Sequence, residues 1–145
     1  MNALKAIGIT DAKVRVNHRQ LLAASIKTLG VSDADQSKAM ITIDKLDKVG
    51  ISAVEEEMKE RFGDKVSKAT ANWLNSLSSD LPVPSELEEL FRLVESLHPG
   101  TLRFDPTLVR GMGYYTGAIF EIEHPASGAS IGGGGRYDGM VGKWL

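Results

Sequence analysis

The stretch AIFEIEHPASGASIGGGGRYDG, residues 118–139, decides the fold class of this 145-residue chain. Its first six residues, Ala118–Glu123, alternate between apolar and polar side chains, which predicts a half-buried β-strand. Pro125–Gly128 is a turn sequence, so the segment that starts at Ala129 is expected to return antiparallel to that strand. The chain is therefore predicted to carry a hairpin of an antiparallel sheet.

Four consecutive glycines, Gly132–Gly135, fall in the returning segment. In a strand they leave an area of sheet without side chains, which favours a floor for a planar ligand. A phosphate-binding P-loop is disfavoured because no Gly-Lys-Ser/Thr follows, and a dinucleotide-binding glycine motif is disfavoured because no helix-forming segment follows. A flexible linker fits poorly, since Arg136, Tyr137 and Asp138 follow without a break.

A second candidate segment, LVRGMGYYTG at residues 108–117, stands just before the strand at 118–123. The guanidinium of Arg110 has a planar fork of donors suited to carboxylate or phosphate oxygens. Tyr114 and Tyr115 each have a flat apolar ring and a polar hydroxyl, which suits them to orient a small aromatic ligand. From these residues alone, a structural ion pair is the commoner role for such an arginine.

The first thirty residues predict a strand followed directly by a helix. Residues 13–17 alternate polar and apolar side chains, and residues 18–29 carry large apolar side chains at helical spacing. Gly30 is a natural residue to end that helix. We interpret residues 1–30 as a piece of the same sheet domain as the hairpin.

Residues 31–99 are predicted to be almost wholly helical. Ser52–Glu55 has the form of a capping box, and the helix that it opens is expected to end at Gly63. A further helix is expected through residues 66–77. This region is interpreted as a helical subdomain inserted between two pieces of sheet.

The clearest helix follows the break at Leu81–Pro84. Ser85–Glu88 is a second capping box, and an apolar stripe follows at i, i+3, i+4, i+7 and i+10 until Pro99-Gly100 ends the helix. Residues 101–104 are strand-like, so residues 100–145 are assigned to the sheet domain. The stripe consists of Leu87, Leu90, Phe91, Val94 and Leu97.

Composition excludes several kinds of protein. The chain has no cysteine, so disulfides, thiolate catalysis and cysteine-ligated metal sites are excluded. His18, His98 and His124 lack metal-binding spacing, and no metal site is predicted. No apolar run suits a bilayer and no signal peptide is evident, so a cytoplasmic protein without a membrane partner is expected. The net charge is −2, and Lys and Arg residues are scattered among similar numbers of acidic residues. A basic surface for nucleic acid is therefore not predicted.

Together the two candidate segments resemble the histidyl-tRNA synthetase family. Its Arg-Gly-x-Asp-Tyr-Tyr-Thr-Gly-x-x-Phe-Glu signature is matched by Arg110–Glu121, with Gly113 where Asp is commonest, and its Gly-Gly-Gly-Arg-Tyr-Asp-Gly signature is matched by Gly133–Gly139. Residues 14–19 and 44–48 also resemble family segments, so the resemblance covers essentially the whole chain. It implies an α+β fold, namely part of the class II synthetase antiparallel sheet with a helical insertion subdomain.

The resemblance also implies the chemistry. Family members join histidine to ATP, with Mg²⁺, and pass the histidyl group from the adenylate to tRNA(His). By position Arg110 matches the catalytic arginine that contacts the histidine carboxylate and the α-phosphate, and Tyr115 matches a residue that hydrogen-bonds the imidazole. The other positions expected to bind substrate are Tyr114, Gly133, Gly134, Arg136 and Tyr137. Gly113 removes an acidic side chain that could brace Arg110 or the loop, although glycine keeps the turn feasible.

Other parts of such an enzyme are not found in this sequence. No match to class II motifs 1, 2 and 3 is evident, so the chain is expected to be a fragment of a homodimeric ligase, to bind no ATP by its own residues alone and to be inactive. The helical insertion is expected to contact tRNA, with Lys59, Arg61, Lys65 and Lys68 as its basic group.

Two further readings stay open. One is a non-catalytic paralogue, either the regulatory subunit of ATP phosphoribosyltransferase or a synthetase-like regulatory domain. Val109-Arg110-Gly111 favours the enzyme over this paralogue, which has less need of the reaction arginine. The other is a helical interaction module, which leaves the tyrosine pair and the glycine signature unexplained.

Overall fold

The computed structural model of the chain describes residues 1–78, 81–110, 114–127 and 129–142. These residues form a mixed α+β fold around one four-stranded sheet, which confirms the predicted fold class. Two predicted features, the substitution at Gly113 and the turn residue Gly128, lie outside the described residues.

The sheet has the strand order β2-β1-β3-β4. Strand β1 pairs in parallel with β2 and antiparallel with β3, and β3 pairs antiparallel with β4. The predicted strands and the predicted hairpin are therefore confirmed, including the strand of four glycines. The strands are β1 Lys13–His18, β2 Leu102–Phe104, β3 Ala118–Glu123 and β4 Gly132–Gly135.

Helices occupy most of the chain between β1 and β2, as predicted. Helix α4 ends before Gly63, which has a φ of +86° that favours glycine. The helices are α1 Asn2–Ala6, α2 Arg19–Thr28, α3 Gln36–Ile43, α4 Leu46–Phe62, α5 Asp64–Ser76, α6 Ser85–Leu97 and α7 Asp138–Val141. No helix-forming segment was expected after the glycines, but the one-turn helix α7 begins at Asp138, inside the glycine signature, so that expectation is wrong.

Both predicted capping boxes are wrong. Helix α4 begins at Leu46, ahead of the predicted start, and Gly50 (φ +78°, ψ 171°) interrupts it. Helical backbone resumes at Ile51, so Ser52 is the second residue of the stretch after the kink and not its cap. Ser85 is the first residue of α6 rather than its cap, because Pro84 takes the cap position and the Ser85 hydroxyl donates to the Glu86 carboxylate at 3.0 Å.

One apolar core joins the strand-helix piece of residues 1–30 to the helices that follow. Its side chains come from α2, α3, α4 and α5, from Val31 in the loop after α2, and from Val109 in the loop before Arg110. The buried members are Leu22, Ile26, Val31, Ala39, Met40, Ile43, Val54, Met58, Val66, Leu74 and Val109.

Helix α6 lies against the sheet and contacts β1 and β2. Of its predicted apolar stripe, Leu87 is fully buried, whereas Leu97 is 74% exposed and Leu90 is also exposed. The apolar stripe therefore runs along α6 as the sequence indicates, but the other described residues bury only part of it.

Candidate functional site

A cleft of about 690 Å³ opens between one face of the sheet and the junction of α3 and α4. Because side chains alternate between the faces of a strand, the β1 and β3 residues of one parity share this cleft face. The side chains that matter for its chemistry are Arg15, Asp44, Asp47, Arg110, Tyr114 and Glu121.

Strand β1 positions the segment that carries Arg110. The buried amide of Asn17 donates hydrogen bonds to the carbonyl oxygens of Pro106 at 3.1 Å and Leu108 at 3.0 Å. Leu108 and Val109 are themselves buried, so the backbone directly before Arg110 is anchored on both sides. The side chain of Arg110 therefore extends into the cleft from a backbone that is held in place.

Arg110 forms an ion pair with Glu121 in the middle of β3. Its Nη1 donates to Glu121 Oε2 at 2.8 Å, and both side chains are partly buried, 33% and 19% exposed. Glu121 therefore braces Arg110, whereas the sequence had suggested only an acidic residue at position 113, absent here, as a brace for Arg110 or the loop. The structural ion pair, which the residues alone favoured for Arg110, is present.

The glycines of β4 are covered by side chains of the protein. A Cβ atom added to Gly133 would lie 2.7 Å from Arg110 Cζ, and one added to Gly135 would lie 2.9 Å from Cγ of Tyr115. Gly134 belongs to the opposite face, where the Phe120 ring would lie 2.8 Å from its added Cβ. The structure brings Gly133 together with Arg110 and does not bring Gly134 to that face.

Three tyrosines cluster beside this strand. The rings of Tyr114 and Tyr115 meet edge-on with centroids 4.5 Å apart, and those of Tyr115 and Tyr137 lie 6.0 Å apart. Desolvation, together with the neighbouring Tyr114 hydroxyl, raises the pKa of the Tyr115 phenol above its usual value. Tyr115 therefore stays a neutral donor at physiological pH.

Arg136, a predicted substrate-binding residue, is engaged elsewhere. Its Nε donates to Asp138 at 2.8 Å, while the other Asp138 oxygen accepts from the Thr116 hydroxyl at 3.0 Å. These hydrogen bonds hold the pKa of Asp138 below its usual value. The cluster joins the two signatures, because Thr116 belongs to the first signature and Asp138 to the second.

A second ion network ties the helices to the sheet. Arg15 on β1 donates to both Asp105 and Asp47, and Asp47 lies in the first turn of α4. Burial alone would raise the pKa of Asp105, but hydrogen bonds from Thr107 and the charge of Arg15 hold it below its usual value. The cleft wall at the α3–α4 junction is thereby attached to the sheet.

Asp44 adds negative charge to that wall. Desolvation raises the pKa of its carboxyl, Glu121 across the cleft raises it further, and Lys48 and Arg110 oppose the shift. Among the described residues, no three His, Cys, Asp or Glu side chains are grouped to hold a metal ion. Across the same ranges, no helix has both the length and the apolar character needed to cross a membrane.

Sequence reasoning missed three contributors to this site. Glu121 was recognised only as part of a strand and a signature. That it lies opposite Gly133 could not be seen, because this pairing depends on the register of the hairpin. Gly135, rather than Gly134, shares the face of Gly133. Arg15 gave a signal only as a polar residue of an alternating strand and as part of the segment 14–19 that resembles the family.

In chemical terms, the cleft presents a braced guanidinium next to an aromatic cluster. Arg110 can donate further hydrogen bonds to carboxylate or phosphate oxygens, and the tyrosines offer ring faces and hydroxyls. This combination suits a ligand with an anionic group close to a small flat ring.

Comparisons with known proteins identify the family. The sequence profile of the histidyl-tRNA synthetase family matches residues 1–144. A histidine–tRNA ligase from Leifsonia xyli is 42% identical over 98% of this chain and 38% of its own length. A probable histidine–tRNA ligase from Tropheryma whipplei is 34% identical over 97% of this chain and 39% of its own length.

Solved structures share the fold. A histidyl-tRNA synthetase from Nostoc superposes with a TM-score of 0.71 at 23% identity, covering 98% of this chain and 39% of that one. A Bacillus halodurans structure described as an ATP phosphoribosyltransferase regulatory subunit/histidyl-tRNA synthetase superposes with a TM-score of 0.67 at 22% identity, covering 99% of this chain and 41% of that one. The chain thus spans about two fifths of the length of these relatives.

Proposed function

Because the chain belongs to the histidyl-tRNA synthetase family, we propose that it carries the part of a histidine–tRNA ligase that binds the histidine carboxylate and the α-phosphate of the adenylate. The observation that carries the proposal is the placement of Arg110, which Glu121 holds at 2.8 Å on the wall of the cleft.

The proposed reaction needs an arginine in this position. The carboxylate of histidine attacks the α-phosphorus of ATP and pyrophosphate leaves. During this step, negative charge shifts from the carboxylate onto the oxygens of the α-phosphate and the leaving pyrophosphate. A fixed guanidinium stabilises that charge without reorganising at the moment of reaction. One such charge-assisted hydrogen bond is worth roughly 1.5–3 kcal/mol.

The tyrosine cluster is proposed to recognise the imidazole ring. Tyr115 is a neutral hydroxyl donor beside the ring of Tyr114, and Tyr137 closes the cluster from the β4 side. A pocket that hydrogen-bonds a ring nitrogen discriminates by about 10⁴-fold or more against analogues that lack it, because its polar groups would be left unpaired.

The activity of the longer protein belongs to the same proposal. We propose that the ligase as a whole uses ATP with Mg²⁺ and tRNA(His), works as a homodimer, and is cytoplasmic. The 145-residue chain spans 38% of the Leifsonia relative and is proposed to be inactive by itself. Its Arg110–Tyr115 side of the pocket would be completed by residues from the rest of such an enzyme.

A regulatory paralogue is the second candidate, because one superposable structure carries both descriptions. At 22% identity, that likeness bears on the fold alone. The ligase relative at 42% identity and the braced Arg110 favour the synthetase.

Isothermal titration calorimetry of the chain tests the proposal. Histidine alone is expected to bind no more tightly than the millimolar range, whereas a non-hydrolysable histidyl-adenylate analogue should bind more tightly because it also engages Arg110. Arg110→Ala and Tyr115→Phe should weaken analogue binding. Arg103→Ala is the matched control, since Arg103 is a more exposed arginine of the same sheet that pairs with Glu123. The proposal would be contradicted if the folded chain does not bind the analogue, or if Arg110→Ala binds it as tightly as the parent chain.

A further inference from the structure

The glycine strand has a use that its composition does not reveal. On the cleft face, the space that side chains of Gly133 and Gly135 would fill already holds Arg110 and Tyr115. The strand is therefore not an empty floor at these two positions. It is the surface on which the protein's own binding side chains rest.

Glu121 is the cross-strand partner of Gly133 in the hairpin. Directly opposite residues of an antiparallel pair point to the same face, so the Glu121 carboxylate rises beside the space left open by the glycine. Arg110 enters that space from the preceding loop, and its Nη1 meets Glu121 Oε2 at 2.8 Å. The backbone oxygen of Phe120 limits the space from below, 2.8 Å from the added Cβ.

We propose that Glu121 is a positioning residue that holds the guanidinium of Arg110 against Gly133, so that its remaining N–H groups are directed into the cleft. Within the described part of the chain, Glu121 is the hydrogen-bond partner recorded for Arg110. A guanidinium has five N–H donors, so one ion pair fixes its plane and leaves donors for a ligand anion. This role deepens the proposed function and rests on it.

The register gives the proposal a matched control. Glu123 lies two residues further along β3 on the same face, and it pairs with the exposed Arg103 at 3.3 Å instead of with Arg110. Glu121→Gln keeps the size of the side chain but removes the charge, and Glu123→Gln makes the same change two residues away. Glu121→Asp restores the charge with a shorter reach.

The first measurement concerns Arg110 without any ligand. In the ¹⁵N-labelled chain, the rate of rotation about the Cζ–Nε bond of Arg110 is read from its guanidinium NMR signals, assigned by comparison with Arg110→Lys. Glu121→Gln should speed that rotation several-fold, whereas Glu123→Gln should leave it unchanged. An amide spectrum that matches the parent chain shows that each variant is folded, and an unchanged rotation rate in folded Glu121→Gln would overturn the proposal.

The second measurement is calorimetric titration with the histidyl-adenylate analogue. Loss of a positioning group of this kind is expected to weaken binding roughly tenfold to a hundredfold in Glu121→Gln, with Glu121→Asp intermediate and Glu123→Gln unchanged. Equal affinity in Glu121→Gln and the parent would overturn the positioning role. If the parent chain does not bind the analogue at all, the proposed function fails, while the rotation measurement still decides whether Glu121 holds Arg110.

Discussion

The helices α3–α5 and the hairpin β3–β4 are built on opposite principles. The helices meet through side chains, and Met40, Ile43, Val54 and Met58 are almost fully buried between them. The hairpin instead dispenses with side chains on β4, so that Arg110, Tyr115 and Phe120 lie directly against backbone. The first region is therefore a source of stability, and the second is a surface whose geometry matters more than its burial.

The largest expected effect breaks the helical half of this contrast. Ile43→Ala removes a 1% exposed side chain from the core and should lower the free energy of unfolding by roughly 2–5 kcal/mol, through lost burial and the cavity left behind. Ile41→Ala changes the same residue type two positions away in α3, where the side chain is 46% exposed, and should cost less than about 0.5 kcal/mol. Urea unfolding of both variants measures the difference; similar costs would mean that α3 packs differently.

The next effect concerns the network that attaches the helices to the sheet. Asp105→Asn should cost about 2 kcal/mol at neutral pH, less than the loss of an isolated buried pair, because Arg15 keeps Asp47 and Asn still accepts from Thr107. The folded-state pKa of Asp105 is lowered, so its contribution is present above the unfolded pKa of about 3.9 and is lost as the pH falls through the folded value.

Unfolding free energies between pH 7 and pH 2.5 test the sign of this linkage. The gap between the parent chain and Asp105→Asn should be constant near neutrality and should shrink below about pH 4. Asp33→Asn is the control, because Asp33 pairs with Lys27 at the surface, where both side chains are largely exposed. A gap that widens in acid would show that the Arg15–Asp105 pair does not lower the pKa of Asp105.

Much of the fold could be predicted because it is encoded locally. Alternation identified β1 and β3, helical spacing identified α2 and α6, and Gly30 and Gly63 marked helix ends. The capping boxes failed for a local reason as well. Ser-x-x-Glu matches the pattern at 52–55 and at 85–88, but helical backbone already resumes at Ile51 after the kink at Gly50, and Pro84 already takes the cap position of α6.

The relations within the site could not be predicted in the same way. Which glycine faces Arg110 depends on the hairpin register, and a shift of one residue would exchange Gly133 with Gly134. The Arg15–Asp105 ion pair joins residues 90 positions apart through the parallel pairing of β1 and β2. The signatures therefore identified residues such as Arg110, while tertiary structure decided their partners.

A third variant tests the hairpin half of the contrast. Gly133→Ala places a methyl group against the Arg110 guanidinium and 2.8 Å from the Phe120 carbonyl oxygen. Arg110 can move aside but the backbone cannot, so a cost of roughly 1–2 kcal/mol is expected, with displacement of Arg110 from Glu121. In Gly139→Ala the added methyl meets nothing within 4 Å, and stability should be unchanged or slightly improved. Urea unfolding and titration with the histidyl-adenylate analogue compare the two variants. Parent-like binding by Gly133→Ala would contradict the claim that Arg110 must pack against Gly133.

The smallest expected effect sharpens the contrast at the junction of the two signatures. The Thr116 hydroxyl donates to the Asp138 carboxylate at 3.0 Å and accepts from the Asp138 backbone N–H at 3.1 Å. Thr116→Val removes both bonds without changing the shape of the side chain, and it should cost about 0.5–1 kcal/mol because the site is open to water. Thr116→Ser keeps the hydroxyl and should restore most of that loss.

Amide hydrogen exchange at Asp138 is the sensitive measurement, since its N–H loses its only recorded acceptor among the described residues. Faster exchange in Thr116→Val but not in Thr116→Ser would show that polar contacts, rather than apolar burial, hold the end of β4 in place.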